Sequence, residues 1–109
     1  MLNFKTAKER MLKLFGRFGL DAPQINKHLP TDPCDFTDPA NKIMRLNIPS
    51  AKRGGLTDSE KDVNFYVGHN FGHYVCDLHG VNDIAQPDKY ENSADHIADI
   101  IAELLMKGE

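Results

Sequence analysis

The segment from residue 57 to residue 80 constrains the fold of this chain more than any other, because it predicts one long, buried helix. The run Thr57-Asp58-Ser59-Glu60 fits a capping box, with Thr57 as the N-cap and Glu60 bonding back to its backbone N–H. An apolar and aromatic run follows, and Gly80 is placed to end the helix after about Leu78. The sequence therefore predicts a helix of about twenty residues here.

The flanking segments predict a small α+β domain that occupies the whole chain, residues 1–109. Apolar residues three and four apart predict an amphipathic helix over 4–19, whereas the prolines of 21–40 favour an extended loop. Residues 42–48 read as a strand stopped by Pro49, followed by a flexible basic turn over 50–55. A second amphipathic helix is expected from Glu91 to Gly108. The order of these helices, loops and strand favours a short antiparallel sheet.

Charge and hydropathy exclude several classes of protein. The formal charge is −3, which gives no basic field for nucleic acid or an anionic membrane surface. No apolar run approaches the roughly 20 residues that a spanning helix needs. Basic residues interrupt the N-terminal segment, so it does not read as a signal peptide, and the two cysteines are expected to be reduced. We expect a cytoplasmic protein.

Two histidines in the long helix carry the chemical signal. His69 and His73 stand four residues apart, so their rings project from one face and can share a metal ion. Gly68 and Gly72 each cost about 1 kcal/mol in a helix relative to alanine, which suggests that another group approaches the backbone closely. In the alternative interpretation the histidines are hydrogen-bonded core residues and no metal binds.

Downstream carboxylates could complete a metal site. Glu91 could be the third ligand of a two-histidine, one-carboxylate site, while Asp95 would orient a histidine ring by accepting its other N–H. The same two residues could instead only favour the N-terminus of the last helix through its dipole. Cys76 lies one turn beyond His73 and reads as a small buried hydrophobe, and Cys34 reads as a bystander.

The run from Val63 to His79 resembles the active-site helix of zincin metallopeptidases, His-Glu-x-x-His, with Asn70 at the glutamate position. More narrowly, residues 65–75 and the segment from Glu91 to Met106 resemble two blocks of the ImmA/IrrE family. This resemblance covers about residues 56–107 and implies a zinc ion held by His69, His73 and Glu91. His79 is a rival third ligand, because its spacing resembles the metzincin motif, although Cys76 stands where that motif has a glycine.

Asn70 changes what such a site can do. In a zincin the glutamate moves the proton of a zinc-bound water, and a neutral amide cannot do so. The resemblance therefore implies a zinc-binding, metallopeptidase-like domain with impaired catalysis that binds or acts on a protein such as a bacterial or phage regulator. Two alternatives remain: an active peptidase that uses another proton shuttle, such as Asp62 or Glu60, and a structural or interaction protein without metal.

Overall fold

The computed structural model describes residues 1–78, which form helices packed against a small sheet, an α+β arrangement as expected. The predicted helix from Glu91 lies outside the described residues. The elements, in chain order, are α1 (Phe4–Arg17), β1 (Gln24–Lys27), β2 (Phe36–Asp38), β3 (Ile43–Leu46), α2 (Ile48–Arg53) and α3 (Glu60–Leu78). Within residues 1–78, no helix is long and apolar enough to cross a membrane.

The N-terminal helix is confirmed, and its ends have local causes. Asn3 caps α1, because its Oδ1 accepts a hydrogen bond of 2.8 Å from the backbone N–H of Thr6. Gly19 follows the last turn with φ of +65°, a left-handed conformation that ends helices and favours glycine. The helix buries Ala7, Met11, Leu14 and Phe15 along one face.

The sheet is mixed rather than wholly antiparallel. The predicted strand is confirmed as β3, and it lies in the centre, with β1 parallel on one side and β2 antiparallel on the other. Both flanking strands fall in the segment 21–40, so the prediction of an extended loop there is wrong in part. These strands are only four and three residues long, and in β1 only Ile25 is buried, so they leave little periodic signal.

A short helix replaces the flexible basic turn that the sequence predicts over 50–55. Asn47 caps α2 by accepting a 3.1 Å bond at Oδ1 from the backbone N–H of Ser50. Pro49 lies in the first helical turn, where the missing N–H of proline has no helical partner to lose. Pro49 therefore lies inside the first turn of a helix, and β3 has already ended at Leu46.

Helix α3 is confirmed, but its cap lies two residues later than predicted. The backbone N–H of Asp62 donates to Ser59 Oγ at 3.2 Å, which identifies Ser59 as the N-cap. Asp62 reaches back to the backbone N–H of Thr57 at 2.7 Å. Glu60 takes no part in this cap and pairs with Arg10 of α1 at 2.8 Å.

The core lies where α1 and the sheet meet α3. Phe15 is fully buried, and its ring meets Phe71 and Tyr74 edge to face, with centroids 4.9 and 5.2 Å apart. Met44 and Leu46 of β3 are also fully or almost fully buried. This packing fixes α3 against α1 and the sheet. The face of α3 that carries His69 and His73 takes no part in these contacts.

Candidate functional site

Helix α3 brings His69 and His73 together, as their spacing predicts. Their Nε2 atoms are 3.1 Å apart, and the rings are steeply inclined to each other. Two nitrogens that bind one tetrahedral zinc ion at 2.0–2.1 Å stand roughly 3.3 Å apart. The observed distance is therefore close to that of two ligands sharing a metal, and it also suits a hydrogen bond between the rings. Phe65 stacks on the His69 ring and helps to orient it.

The histidines line a cavity between α3 and the segment that enters β2. The cavity has a volume of about 290 Å³, and α3 contributes His69, Asn70 and His73 to its wall. The opposite wall consists of Cys34, Asp35 and Thr37. The site therefore joins two parts of the chain more than thirty residues apart in sequence.

Asp35 anchors its loop to α3. Its Oδ1 accepts hydrogen bonds from the Tyr66 hydroxyl at 2.5 Å and from the backbone N–H of Asn47 at 2.6 Å. Burial raises the pKa of Tyr66 well above its ordinary value, and the Asp35 charge raises this pKa further. Tyr66 is therefore neutral at physiological pH and serves as the hydrogen-bond donor, so Asp35 has a fixed position in the cavity wall.

A second bond between the two walls involves Thr37 of β2. Its hydroxyl donates to Asp77 Oδ2 at 2.6 Å, and Asp77 lies one turn beyond His73 on α3. Together with the Asp35 bonds, this contact holds both ends of the cavity wall against the helix. The polar side of α3 is thus fixed by specific hydrogen bonds.

Asn70, the residue that follows His69, has a fixed orientation. The side chain is only 2% exposed, and its Nδ2 donates to the carbonyl oxygen of Tyr66 at 2.9 Å. The reverse orientation would bring two acceptor oxygens together, so this bond assigns the nitrogen and the oxygen of the amide. The group available to the cavity is therefore the acceptor Oδ1.

Three of the predicted site residues are thus brought to one cavity: His69, His73 and Asn70. The other three, His79, Glu91 and Asp95, lie outside the described residues. Within residues 1–78, no group of three histidine, cysteine or acidic side chains is arranged to hold a metal ion. A metal at the histidine pair needs at least one further ligand from elsewhere.

The carboxylates suggested as alternative proton shuttles are engaged away from the cavity. Glu60 accepts two hydrogen bonds from the Arg10 guanidinium, and these bonds lower the pKa of its carboxyl. Asp62 caps the start of α3, where the Thr57 hydroxyl and backbone N–H lower its pKa. Neither residue lines the cavity with the histidines.

Sequence reasoning missed the opposite wall of the cavity. The sequence indicates only a bystander role for Cys34 and does not identify Asp35 or Thr37 as site residues. Their contacts with α3 are contacts between distant segments, and no local periodicity reports them. The available signal was the position of polar residues directly before a short strand, which does not by itself distinguish a site from a loop.

Comparison of the chain with protein-family models, with curated proteins and with solved structures found no match.

Proposed function

We propose that this protein is a zinc-binding, metallopeptidase-like domain with impaired catalysis that binds an extended segment of a protein partner. The observation that carries the proposal is the 3.1 Å separation of His69 Nε2 and His73 Nε2 on the wall of a cavity. The resemblance of residues 56–107 to the ImmA/IrrE family supports the same function, and it suggests a bacterial or phage regulator as the partner.

The proposed third ligand is Glu91, with Asp95 orienting one of the ligating rings. A carboxylate with two imidazoles leaves one tetrahedral position for water, as in catalytic zinc sites. Zinc bound there would supply Lewis-acid polarisation of that water. His79 remains the alternative third ligand.

Asn70 is the reason for proposing impaired catalysis. Its Oδ1 can accept a hydrogen bond from a water in the cavity, but an amide cannot take up and return the proton. Loss of general acid–base catalysis lowers a rate by roughly 10²–10⁴-fold. Binding rather than turnover is therefore the proposed activity.

An extended partner segment is proposed to lie along β2. The strand that the sequence predicts, β3, is the central strand and both its edges are paired, so it offers no free edge to a peptide. Within the described sheet β2 is an edge strand, and Thr37 of β2 lines the cavity. An added strand there would pass beside the histidine pair.

Elemental analysis of protein purified without chelators or a metal-affinity tag tests the proposal. We expect one zinc ion per chain, and we expect His69→Ala and His73→Ala to lose it. His28→Ala is the matched control, since His28 does not line the cavity. A chain that neither contains zinc nor takes it up when offered would overturn the proposal and favour the structural or interaction protein, in which the rings bond to each other.

The third ligand is tested in the same assay. We expect Glu91→Ala to weaken zinc binding far more than His79→Ala does, because a lost ligand costs more than a lost neighbour. The opposite ranking would support the metzincin-like ligand set and contradict Glu91.

A second candidate function, an active peptidase, is favoured by one observation. Asp35 is a carboxylate on the cavity wall opposite the histidines, and it replaces Glu60 and Asp62 as the candidate proton shuttle. If Asp35 is the proton shuttle, the unaltered protein cleaves a host protein in a zinc-dependent way, and Asp35→Asn abolishes this cleavage. If catalysis is impaired, the unaltered protein is inactive and Asn70→Glu restores hydrolysis by roughly 10²–10⁴-fold.

A further inference from the structure

The cavity beside the histidine pair is lined by hydrogen-bond acceptors. The amide nitrogen of Asn70 is already used by the Tyr66 carbonyl, and no donor within residues 1–78 reaches Asn70 Oδ1. Asn70 is 2% exposed and lines the cavity. No buried side-chain nitrogen or oxygen of the described residues lacks a hydrogen-bond partner, so this oxygen is open to the cavity and can accept a bond from a ligand there.

Thr37 and Asp35 present acceptors to the same cavity. The Thr37 hydroxyl gives its hydrogen to Asp77, so only its lone pairs remain for a ligand. Asp35 receives its donors at Oδ1, and among the described residues none reaches Oδ2. Among the described residues, the lining also contains neither lysine nor arginine. These groups together match a ligand that is cationic and rich in hydrogen-bond donors.

We propose that this cavity binds a primary ammonium group, the free amino terminus of a peptide. Its three N–H donors correspond to the three acceptor side chains Asp35, Thr37 and Asn70, and the Asp35 charge neutralises the cation. A volume of about 290 Å³ equals that of roughly ten waters, which accommodates an amino terminus with a small side chain. The inference specifies the ligand of the proposed peptide site and therefore rests on the proposed function.

The test compares two probes that differ only at the amino group. Alanyl-alanine amide carries a free ammonium, and N-acetyl-alanyl-alanine amide lacks it. Both are titrated into ¹⁵N-labelled protein, with zinc and after chelation. We expect the free dipeptide amide to shift the backbone signals of residues 34–37 and 69–73 in both preparations, and the acetylated probe to leave them in place.

Variants identify the groups responsible. Asp35→Asn retains an oxygen for Tyr66 and Asn47, so the fold should persist, but we expect binding to weaken roughly 10-fold or more because a charge-assisted bond is lost. Asp38→Asn is the matched control, since Asp38 lies on β2, bonds to Asn41 and does not line the cavity. Thr37→Val, which removes one acceptor, should weaken binding by a smaller factor.

The possible outcomes separate this inference from the proposed function. Equal binding of both probes, binding of neither, or equal losses in the Asp35 and Asp38 variants would overturn ammonium recognition. If zinc binds at the histidine pair, and both probes bind the zinc-loaded protein but neither binds the chelated protein, the proposed function stands and this inference fails. If the free probe binds and zinc does not, the cavity recognises ammonium and the metallopeptidase-like function fails.

Discussion

Within residues 1–78, helix α3 meets the other elements on two sides of different chemistry. Toward α1 the contact is aromatic and apolar, with Phe15 packed edge to face on Phe71 and Tyr74. Toward the segment entering β2 the contact consists of bonds of 2.5–2.6 Å made by Tyr66 and Asp77. Apolar packing is non-directional and scales with buried area, whereas a hydrogen bond fixes a partner at one position. We therefore expect the apolar side to contribute more to the free energy of unfolding, and the hydrogen-bonded side to position the site.

The largest expected effect tests the apolar side. Phe15→Ala should lower the free energy of unfolding by about 3–5 kcal/mol, because a fully buried ring leaves a cavity. Phe18→Ala is the matched control. Its ring stacks on Phe71 but is 51% exposed, so we expect a loss of about 1 kcal/mol. Urea denaturation followed by circular dichroism measures both, and equal losses would contradict this division.

The next effect tests the polar side. Asp35→Ala removes the acceptor for the buried Tyr66 hydroxyl and for the Asn47 N–H, so we expect a loss of about 1–3 kcal/mol. Tyr66→Phe in the Asp35→Ala background should recover part of this loss, since the unpaired hydroxyl is then absent. Additive losses in the double-mutant cycle would show that the bond contributes no coupling.

The same contrast explains how much of the fold the sequence predicts. Helices α1 and α3 were predicted because their apolar residues recur within the element, and β3 because Met44 and Leu46 point to the core from an apolar run. β1 and β2 exist through pairing with β3 and have few buried residues of their own. Their stability comes from tertiary contacts, which a proline-rich segment does not display.

The cap of α3 shows a second kind of ambiguity. Thr57 with Glu60 and Ser59 with Asp62 both match a capping box, because each places an acidic residue three positions after a hydroxyl. The structure selects Ser59, while Arg10 of α1 pairs with Glu60. Local sequence does not decide whether Thr57 or Ser59 caps the helix. In the folded protein the Ser59 cap is accompanied by the contact between Arg10 of α1 and Glu60 of α3.

The two halves of the candidate site, on helix α3 and on the loop before β2, differ in the same way. His69 and His73 are neighbours on one helix, so their spacing predicts their proximity. Asp35 approaches Tyr66 from 31 positions away in sequence, through a loop that separate interactions hold in place. The helical half of the site was therefore predictable, and the loop half depends on the tertiary fold.

The smallest expected effect concerns that loop and depends on pH. Asp32 accepts bonds from Arg45 at 2.7 Å and from the backbone N–H of Leu29 at 2.9 Å, and these lower the pKa of its carboxyl below the ordinary 3.8. A pKa lowered by folding stabilises the protein above the unfolded-state value and loses that contribution as pH falls through the folded-state value. Asp32→Asn should therefore reduce stability modestly at pH 7.

As pH falls below the unfolded-state pKa of Asp32, the difference between the Asp32→Asn variant and the unaltered protein should narrow, because Asp32 takes up a proton first in the unfolded chain and then in the folded chain. Urea midpoints measured between pH 7 and pH 2.5 give this comparison, with Asp21→Asn as the control. Asp21 lies 3.9 Å from Lys42 in an exposed pair, so its replacement should change little at any pH. A difference that is as large at the acid end as at pH 7 would show that the carboxylate charge does not hold the loop.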